Sequence, residues 1–392
     1  MAFILKKPHK KFKGVIIFTH KERYMFESKS WPLLPVFKKL KENYVLGMHW
    51  GHYTDNVGNV PFIDFHLAGP GTVNFLPNIK AKIISLSSRN FIEETFKNKN
   101  IERRWDIITV ARPLRLKNMD QLLKISRGIC DLGYVPKVLF VCPCPSKMEK
   151  RGWYMEIYQD YLKMFSKEER GSIVLMLLRG DGYPFPLSTD TLSWLYNSSK
   201  TMALLSDKEG ESRVISEALL CGTTVIAKEN LKGGGRDYLD QSNSIVISDL
   251  VEAPKILKNF FENYKGPKFD SKKMESELGE KQSAVKLESE IKKIFLNLGL
   301  PYEGEIDKKD LSRKLPSHTT LLPKKYRGDF ADDLYSYVAA YKFLSELNGQ
   351  KTGYLQVWHL KTLEIYRWLL QSTESLTHHT RKFLKKWLSN KK

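Results

Sequence analysis

The sequence predicts an α/β protein whose main part is a doubly wound parallel sheet, and two observations carry that prediction. From Trp105 onward, short apolar runs of about four to seven residues alternate with stretches of helical period. Runs of that length are strands buried on both faces, the signature of a parallel sheet covered by helices. The first 100 residues repeat the alternation in a more compact form, and 392 residues leave room for two domains, each with its own core.

In chain order, GVIIF at 14–18 is a strand, and 35–44 has helical spacing with Val36, Leu40 and Tyr44 on one stripe. YVLGMHW and AKIISLSS are further strands, set apart by the turn-rich segments DNVGNVPF and LAGPGTVNF. WDIITVA then opens the clearer half. It is followed by a helix over 118–133, opened by Asn118 and closed at Gly133, and by the strand KVLFVC. The helix YMEIYQDYLKMF, the strand SIVLML, the helix TDTLSWLYNSS and the strand TMALLS come next, and the helix RVISEALLCG leads into TTVIA. Residues 265–326 are polar and lysine-rich, with KLESEIKKIFLNLG as their main helix, and the remainder reads as two amphipathic helices and a basic tail helix.

The composition is that of an ordinary globular chain, with 42% hydrophobic and 28% charged residues, which excludes a disordered class. No apolar stretch reaches the roughly 18 residues that a membrane-spanning helix needs. The basic N-terminus lacks the apolar core of a secretory signal, so a cytoplasmic location is expected, with peripheral attachment to a membrane surface left open. The four cysteines are too few and scattered for a disulfide framework, and Cys142-Pro143-Cys144 reads as the end of a strand rather than a metal site.

The net charge is +20 and unevenly spread: residues 1–44 hold eleven Lys or Arg against three Glu, and the last twelve residues hold six against none. Such patches attract phosphates, whether of nucleic acid, of anionic lipid or of an acidic glycan, and charge by itself does not choose among these. In the tail, Phe383, Leu384, Trp387 and Leu388 share one face opposite Arg381, Lys382, Lys385 and Lys386, which suits either an interfacial membrane helix or a helix that packs back across the fold. The aromatic residues Tyr354, Trp358, Tyr366 and Trp368 recur at a spacing that reads more simply as core packing than as a sugar platform.

The segment richest in chemistry is 206–239. A strand ends at Ser206, Glu209-Gly210 form a short loop, and a helix begins near Ser212, so that Glu209 sits at a helix N-terminus where free backbone N–H groups receive anions and hydroxyls. Glu217 follows eight positions later, about two turns into the helix and near the same face. Two carboxylates on one strand–loop–helix edge suit the paired hydroxyls of a ribose and a hexose, although the same spacing in isolation also describes a solvated helix face. Upstream, Arg112 and Lys117 follow a strand and precede a helix. There two cations would stabilise the negative charge that grows on a departing diphosphate.

Glu209 to Glu217, then Glu217-Ala218 through Gly222, the strand TTVIA and the glycines 233–235 resemble the retaining glycosyltransferases of the GT-B fold, family 4 type, with their E-x7-E signature. Arg112 and Lys117 resemble the family's Arg and Lys on the donor diphosphate, with Ala111 where a glycine is usual. The resemblance covers residues 80–262 or so. It implies two Rossmann-like domains facing a cleft, with Arg112, Lys117 and Glu209 at the reaction centre. Gly210, Glu211, Ser212, Arg213, Val214 and Glu217 would then line the donor site. Glu211-Ser212 depart from the aromatic or proline and glycine common there.

On the acceptor side, His49 and His52 follow a strand and precede a turn, with His66 a further histidine of that half; packing or solvation is the plainer reading of each. The expected organisation is a short Rossmann-like acceptor domain at 1–102, a nucleotide-sugar-binding domain at 103–264, a lysine-rich segment at 265–326 and C-terminal helices at 327–392. The expected donor is a nucleotide-sugar, the acceptor a glycan, lipid-linked or acidic molecule, and neither metal nor cofactor is needed. The alternative is a degenerate version of the same fold that binds nucleic acid or another polyanion, against which stands the lack of any nucleic-acid module.

Overall fold

The computed structural model describes residues 2–26, 34–51, 54–144, 153–179, 185–315 and the isolated positions 358, 359, 361 and 362. The expected helices of 327–392, the tail face at 381–388 and His52 lie outside the described residues, and of the aromatic series only Trp358 falls within them.

The first unit contains β1 (Phe3–Lys6), β2 (Gly14–Thr19), α1 (Leu34–Asn43), β3 (Tyr44–His49), β4 (Thr54–Val57), β5 (Phe65–Leu67), β6 (Val73–Phe75) and β7 (Lys82–Ile84). Its sheet runs β1-β2-β3-β5-β7, with β1 antiparallel at one edge and the other four strands parallel. All six residues of β2 are buried because both faces of the sheet are covered. Ile16 and Phe18 pack on one side with Val36, Phe37 and Leu40 of α1, and Val15 and Ile17 pack on the other. The β3–β5 and β5–β7 connections carry, in place of crossover helices, the small parallel pair β4-β6. The unit is thus a shortened form of the expected α/β layer.

The second unit contains β8 (Trp105–Val110), α2 (Met119–Asp131), β9 (Val138–Cys144), α3 (Trp153–Met164), β10 (Ile173–Arg179), α4 (Thr189–Asn197), β11 (Ser199–Leu204), β12 (Lys208–Glu211), α5 (Arg213–Leu220), β13 (Thr224–Lys228), β14 (Lys232–Gly234), β15 (Ser244–Ile247) and α6 (Ala253–Glu262). Its six-stranded sheet runs β10-β9-β8-β11-β13-β15 and is parallel throughout. Counted in chain order, this is the doubly wound arrangement in which the winding reverses between the first and fourth strands, here β8 and β11. The α/β class with parallel sheets expected from the sequence is therefore the architecture of the protein.

The chain then adds α7 (Ser271–Leu278), α8 (Glu280–Asn297) and α9 (Leu311–Lys314). Although α8 follows the second unit in sequence, its apolar stripe packs on the first: Leu287, Ile291, Ile294 and Phe295 share a core with Leu5, Val15, Ile17, Phe65 and Leu67. Leu311 and Leu315 join the same core. The C-terminal part of the described chain therefore supplies the second covering layer of the N-terminal sheet.

Among the described residues no helix is long and apolar enough to cross a membrane.

Candidate functional site

The two polar segments singled out in the sequence leave the carboxyl ends of the neighbouring strands β8 and β11, at the point where the winding of the sheet reverses. Helices leave the strands on opposite faces there, so the loops part and open a crevice. From β8 the chain passes Arg112, half-buried, and a 3-10 turn at Arg115–Lys117 before α2. From β11 it passes Ser206 into β12 and then α5. Lys117 Nζ meets Glu209 Oε1 in a close ion pair that joins the two loops. Asn118, in the left-handed region at φ 49°, ties them again through its Nδ2 to the Leu205 carbonyl at 2.9 Å and to Asp207 Oδ2 at 3.1 Å.

The loop expected at Glu209-Gly210 is instead a strand. Residues Lys208–Glu211 pair in parallel with Lys232–Gly234. Glycine makes this pairing possible: Gly233 has φ 97°, and a Cβ there would lie 1.8 Å from the Glu209 carbonyl oxygen. The pairing fixes the direction of Glu209 and leads straight into α5, whose first-turn amides have no intrahelical partner. Ser212 stands at the N-cap, its own N–H donating to the Gly234 carbonyl at 3.4 Å, and Val214 packs its side chain into the core beneath. Gly210 lies against Gly234, where a Cβ on Gly234 would come within 2.5 Å of the Gly210 oxygen.

Glu217 lies on α5 with its carboxylate between two partners: Tyr196 Oη donates to Oε2 at 3.3 Å, and Arg213 Nε stands 3.6 Å from Oε1. Burial pushes the Glu217 carboxyl above its ordinary range, opposed by Arg213 and by the Tyr196 hydrogen bond. The Tyr196 phenol, fully buried, is held well above its ordinary value by burial and by Glu217. Arg213 does more than face the site. Its guanidinium donates to the Ser88 carbonyl at 3.0 Å and to the Ser312 carbonyl at 3.0 Å, so one side chain joins α5, the first unit and α9.

Glu211 turns toward the first unit. One of its oxygens, Oε2, accepts from the Ser88 N–H at 3.1 Å and from the Ser88 hydroxyl. The other lies 3.4 Å from His49 Nε2, at the end of β3. Burial opposes ionisation of this carboxyl, but His49, Ser88 and Arg89 outweigh it and hold the pKa below its ordinary value. Gly51 leaves room beside them: a Cβ there would stand 3.7 Å from His49, 3.8 Å from His20 and 3.9 Å from Glu211. The carboxyl edges of the two sheets therefore face one another and meet at Glu211.

His66 is buried inside the first unit instead. Its Nδ1 accepts from Trp50 Nε1 at 3.1 Å, which places the proton on Nε2, and burial, with Arg23 nearby, lowers its pKa to about 4.

Several residues of this interface carry no signal in the sequence. The turn Ser88–Asn90 is wholly buried between the units. Arg89 forms a 2.8 Å ion pair with Asp237, donates to the Pro70 carbonyl at 2.7 Å and lies over the ring of Tyr238. Asn90 donates to Tyr238 Oη at 2.6 Å. Tyr196, the partner of Glu217, is an ordinary aromatic position on α4 as far as the sequence goes. Among the described residues, no three His, Cys, Asp or Glu side chains are grouped to hold a metal ion.

No family model matches the chain, and no curated protein matches it. Solved structures resemble it at low identity. The Anabaena protein HepE, solved with UDP and glucose, is 11% identical with a TM-score of 0.45, over 69% of this chain and 76% of that one. The pneumococcal O-GlcNAc transferase GtfA, solved with UDP and GlcNAc, is 13% identical with a TM-score of 0.44, over 67% of this chain and 54% of that one. The S. aureus protein TarM is similar at 13% identity and a TM-score of 0.45, over 72% of this chain and 54% of TarM.

Proposed function

We propose that the chain is a retaining, metal-independent glycosyltransferase whose donor is a nucleotide-sugar held by the second unit. The observation that carries the reading is the meeting of two segments far apart in sequence, Arg112–Lys117 and Glu209–Glu217, at the switch point between β8 and β11. Two cations and two carboxylates at the mouth of such a crevice match the chemistry of a nucleoside diphosphate carrying a sugar. The solved structures that the chain is similar to include ones with UDP and a sugar bound, in keeping with this donor class.

In this reading Arg112 and Lys117 stabilise the diphosphate as it leaves. Glu209 orients the sugar and, through its ion pair, holds the Lys117 ammonium where the phosphate arrives. Glu217, steadied by Tyr196 and Arg213, accepts the ribose hydroxyls. The amides of Arg213 and Val214, in the first turn of α5, complete the donor site beside Gly210, Glu211 and Ser212. The acceptor, a glycan or a lipid-linked or acidic molecule, enters from the first unit beside His49. The leaving phosphate takes the acceptor's proton on the face where the sugar bond breaks, so no protein nucleophile takes part. The cationic pair does the electrostatic work that a metal ion does in other transferases.

The second reading, a degenerate relative that binds nucleic acid or another polyanion, is favoured by the net charge of +20. A thermal-shift series with UDP, GDP, ADP and CMP in the presence of a chelator separates the two. One nucleotide at about 100 times its dissociation constant adds about 2.7 kcal/mol of stability, and Glu217→Gln loses that gain. If no nucleotide shifts the transition while RNA binds with a steep salt dependence, the donor-site reading fails.

A further inference from the structure

The strand β10 ends the second sheet in a way that free edges seldom do. It runs for seven residues, Ile173–Arg179, and pairs with β9 at every position without a bulge. Its first six residues are apolar, all but Ile173 are half-buried, and among the described residues no strand lies on its other side. Free edges are usually short, bulged or charged, because unpaired N–H and C=O groups template further pairing. The other edges follow that rule: β1 has a bulge between Ile4 and Lys6, β7 has three residues beginning with Lys82, and β15 has four. The Val138 N–H donates to the Ser172 carbonyl at 2.9 Å. By alternation, the backbone groups of Val174, Met176 and Leu178 face β9, and those of Leu175 and Leu177 face outward.

The helix α3 continues this apolar edge. Ile157, Tyr161 and Phe165 pack down on the sheet, and Tyr161 Oη donates to the Ile173 carbonyl at 2.8 Å. Glu156 stands 3.6 Å from Arg115, and the Met164 carbonyl accepts from Arg127 at 3.1 Å, so one flank of α3 faces α2 and the turn before it. At about 100° per residue, Met155, Tyr158 and Leu162 form a stripe on the opposite flank, the one beside β10. They are 44%, 38% and 38% exposed. On the other face of the strand, Val174, Met176 and Leu178 are also only partly buried. Charge is close to balanced here. Residues 145–188, which include α3 and β10, carry seven Lys or Arg against six Asp or Glu, so nearly all of the net +20 lies elsewhere.

We propose that β10 pairs antiparallel with β10 of a second copy of the chain, about a two-fold axis that passes by Met176 perpendicular to the sheet. Leu175 then exchanges both hydrogen bonds with the partner's Leu177, and these are the residues whose backbone groups face outward. Apolar side chains oppose apolar ones along the ladder, except that Arg179 meets the partner's Ile173. The two Arg179 residues stand about 20 Å apart, beyond the screening length at physiological salt. The same axis sets the two α3 stripes side by side on one face of the joined sheet, where each covers the other. A peptide strand would satisfy the backbone but leave Met155, Tyr158 and Leu162 in water, and this selects a second copy as the occupant. The crevice between β8 and β11 lies inward of this edge and stays free. The proposal does not rest on the glycosyltransfer reading.

The test is sedimentation velocity of the full chain up to about 100 µM, at low and high salt. The wild type passes from monomer to dimer. Added salt leaves the dimer intact or tightens it, because two copies of charge +20 repel one another. Tyr158→Lys/Leu162→Lys, on the exposed stripe, weakens the dimer at least about tenfold. Leu177→Pro removes an outward amide and no bond to β9, and it weakens the dimer as well. Circular dichroism and the thermal midpoint show that both variants are folded. On mild oxidation Met176→Cys gives a disulfide-linked dimer that the wild type does not, because facing Cα atoms at such a site are about 4.5 Å apart. Three results would overturn the proposal: a monomer up to about 100 µM, a dimer that salt dissociates, and a dimer that neither variant weakens and Met176→Cys does not cross-link.

Discussion

Replacing Lys117 with alanine lowers turnover of the nucleotide-sugar by about 10²–10³-fold, the usual cost of losing one preorganised donor to a developing anion. The site explains why the loss falls on kcat more than on KM. The charge that Lys117 meets is largest when the sugar–phosphate bond breaks, and Glu209 already holds the ammonium before substrate arrives. Stability falls as well, because the Glu209 side chain is only 9% exposed and loses its cation, as in any largely buried pair broken from one side. The kinetic loss is therefore read well below the thermal midpoints of both proteins, where each is fully folded. Lys117→Arg keeps the charge and recovers part of the rate. Wild-type kcat in the alanine variant, measured as release of nucleoside diphosphate, would remove Lys117 from the diphosphate site.

The largest expected effect on stability lies at the contact between the units. Arg89 is fully buried and bonds to Asp237 and Pro70, so truncation to alanine leaves the Asp237 carboxylate and the Pro70 carbonyl without their cation. Breaking a buried pair from one side costs about 3–5 kcal/mol. Asp237 keeps about a quarter of its side chain in contact with solvent, and burial already raises its pKa, so the lower end, about 3 kcal/mol, is expected. In urea denaturation the midpoint of Arg89→Ala falls accordingly. Arg89→Ala/Asp237→Asn regains at least about 1 kcal/mol, because the stranded charge is gone. A loss below about 1 kcal/mol in the single variant would show that the contact does not hold the units together.

The two effects differ in how far the sequence announces them. The second sheet is legible because β8, β9, β10, β11 and β13 are apolar runs between helices, and a parallel strand covered on both faces leaves that trace. The short strands β4, β5 and β6, of three or four residues, are too brief for periodicity to register. The pairing of β12 with β14 is invisible for another reason: KEGE and KGG carry no apolar pattern, and what joins them is the close approach that glycine allows. The helix α8 reads as amphipathic, but its partner sheet lies some 200 residues earlier, and nothing local names it.

The site divides in the same way. Arg112, Lys117 and Glu209 stand out because each sits where a strand gives way to a helix, and Glu217 by its spacing from Glu209 along that helix, both local features. Glu211 and His49 are visible as polar residues near turns, but only the facing of the two sheets brings them within 3.4 Å. Glu211 and Arg213, grouped in the sequence with the donor site, spend their bonds largely on the first unit and α9. Arg89 is a lone arginine between Ser88 and Asn90 whose burial is decided by the second unit closing over it.

The central claim is that this cleft moves a sugar from a nucleoside diphosphate with its anomeric configuration kept. The most direct measurement is proton NMR of the full chain with the nucleotide-sugar selected by thermal shift, a simple sugar or glycerol acceptor, and a chelator present. The account predicts release of nucleoside diphosphate together with a new anomeric signal of the donor's own configuration, both lost in Lys117→Ala. Turnover that requires an added divalent metal, or a product of inverted configuration, would contradict it.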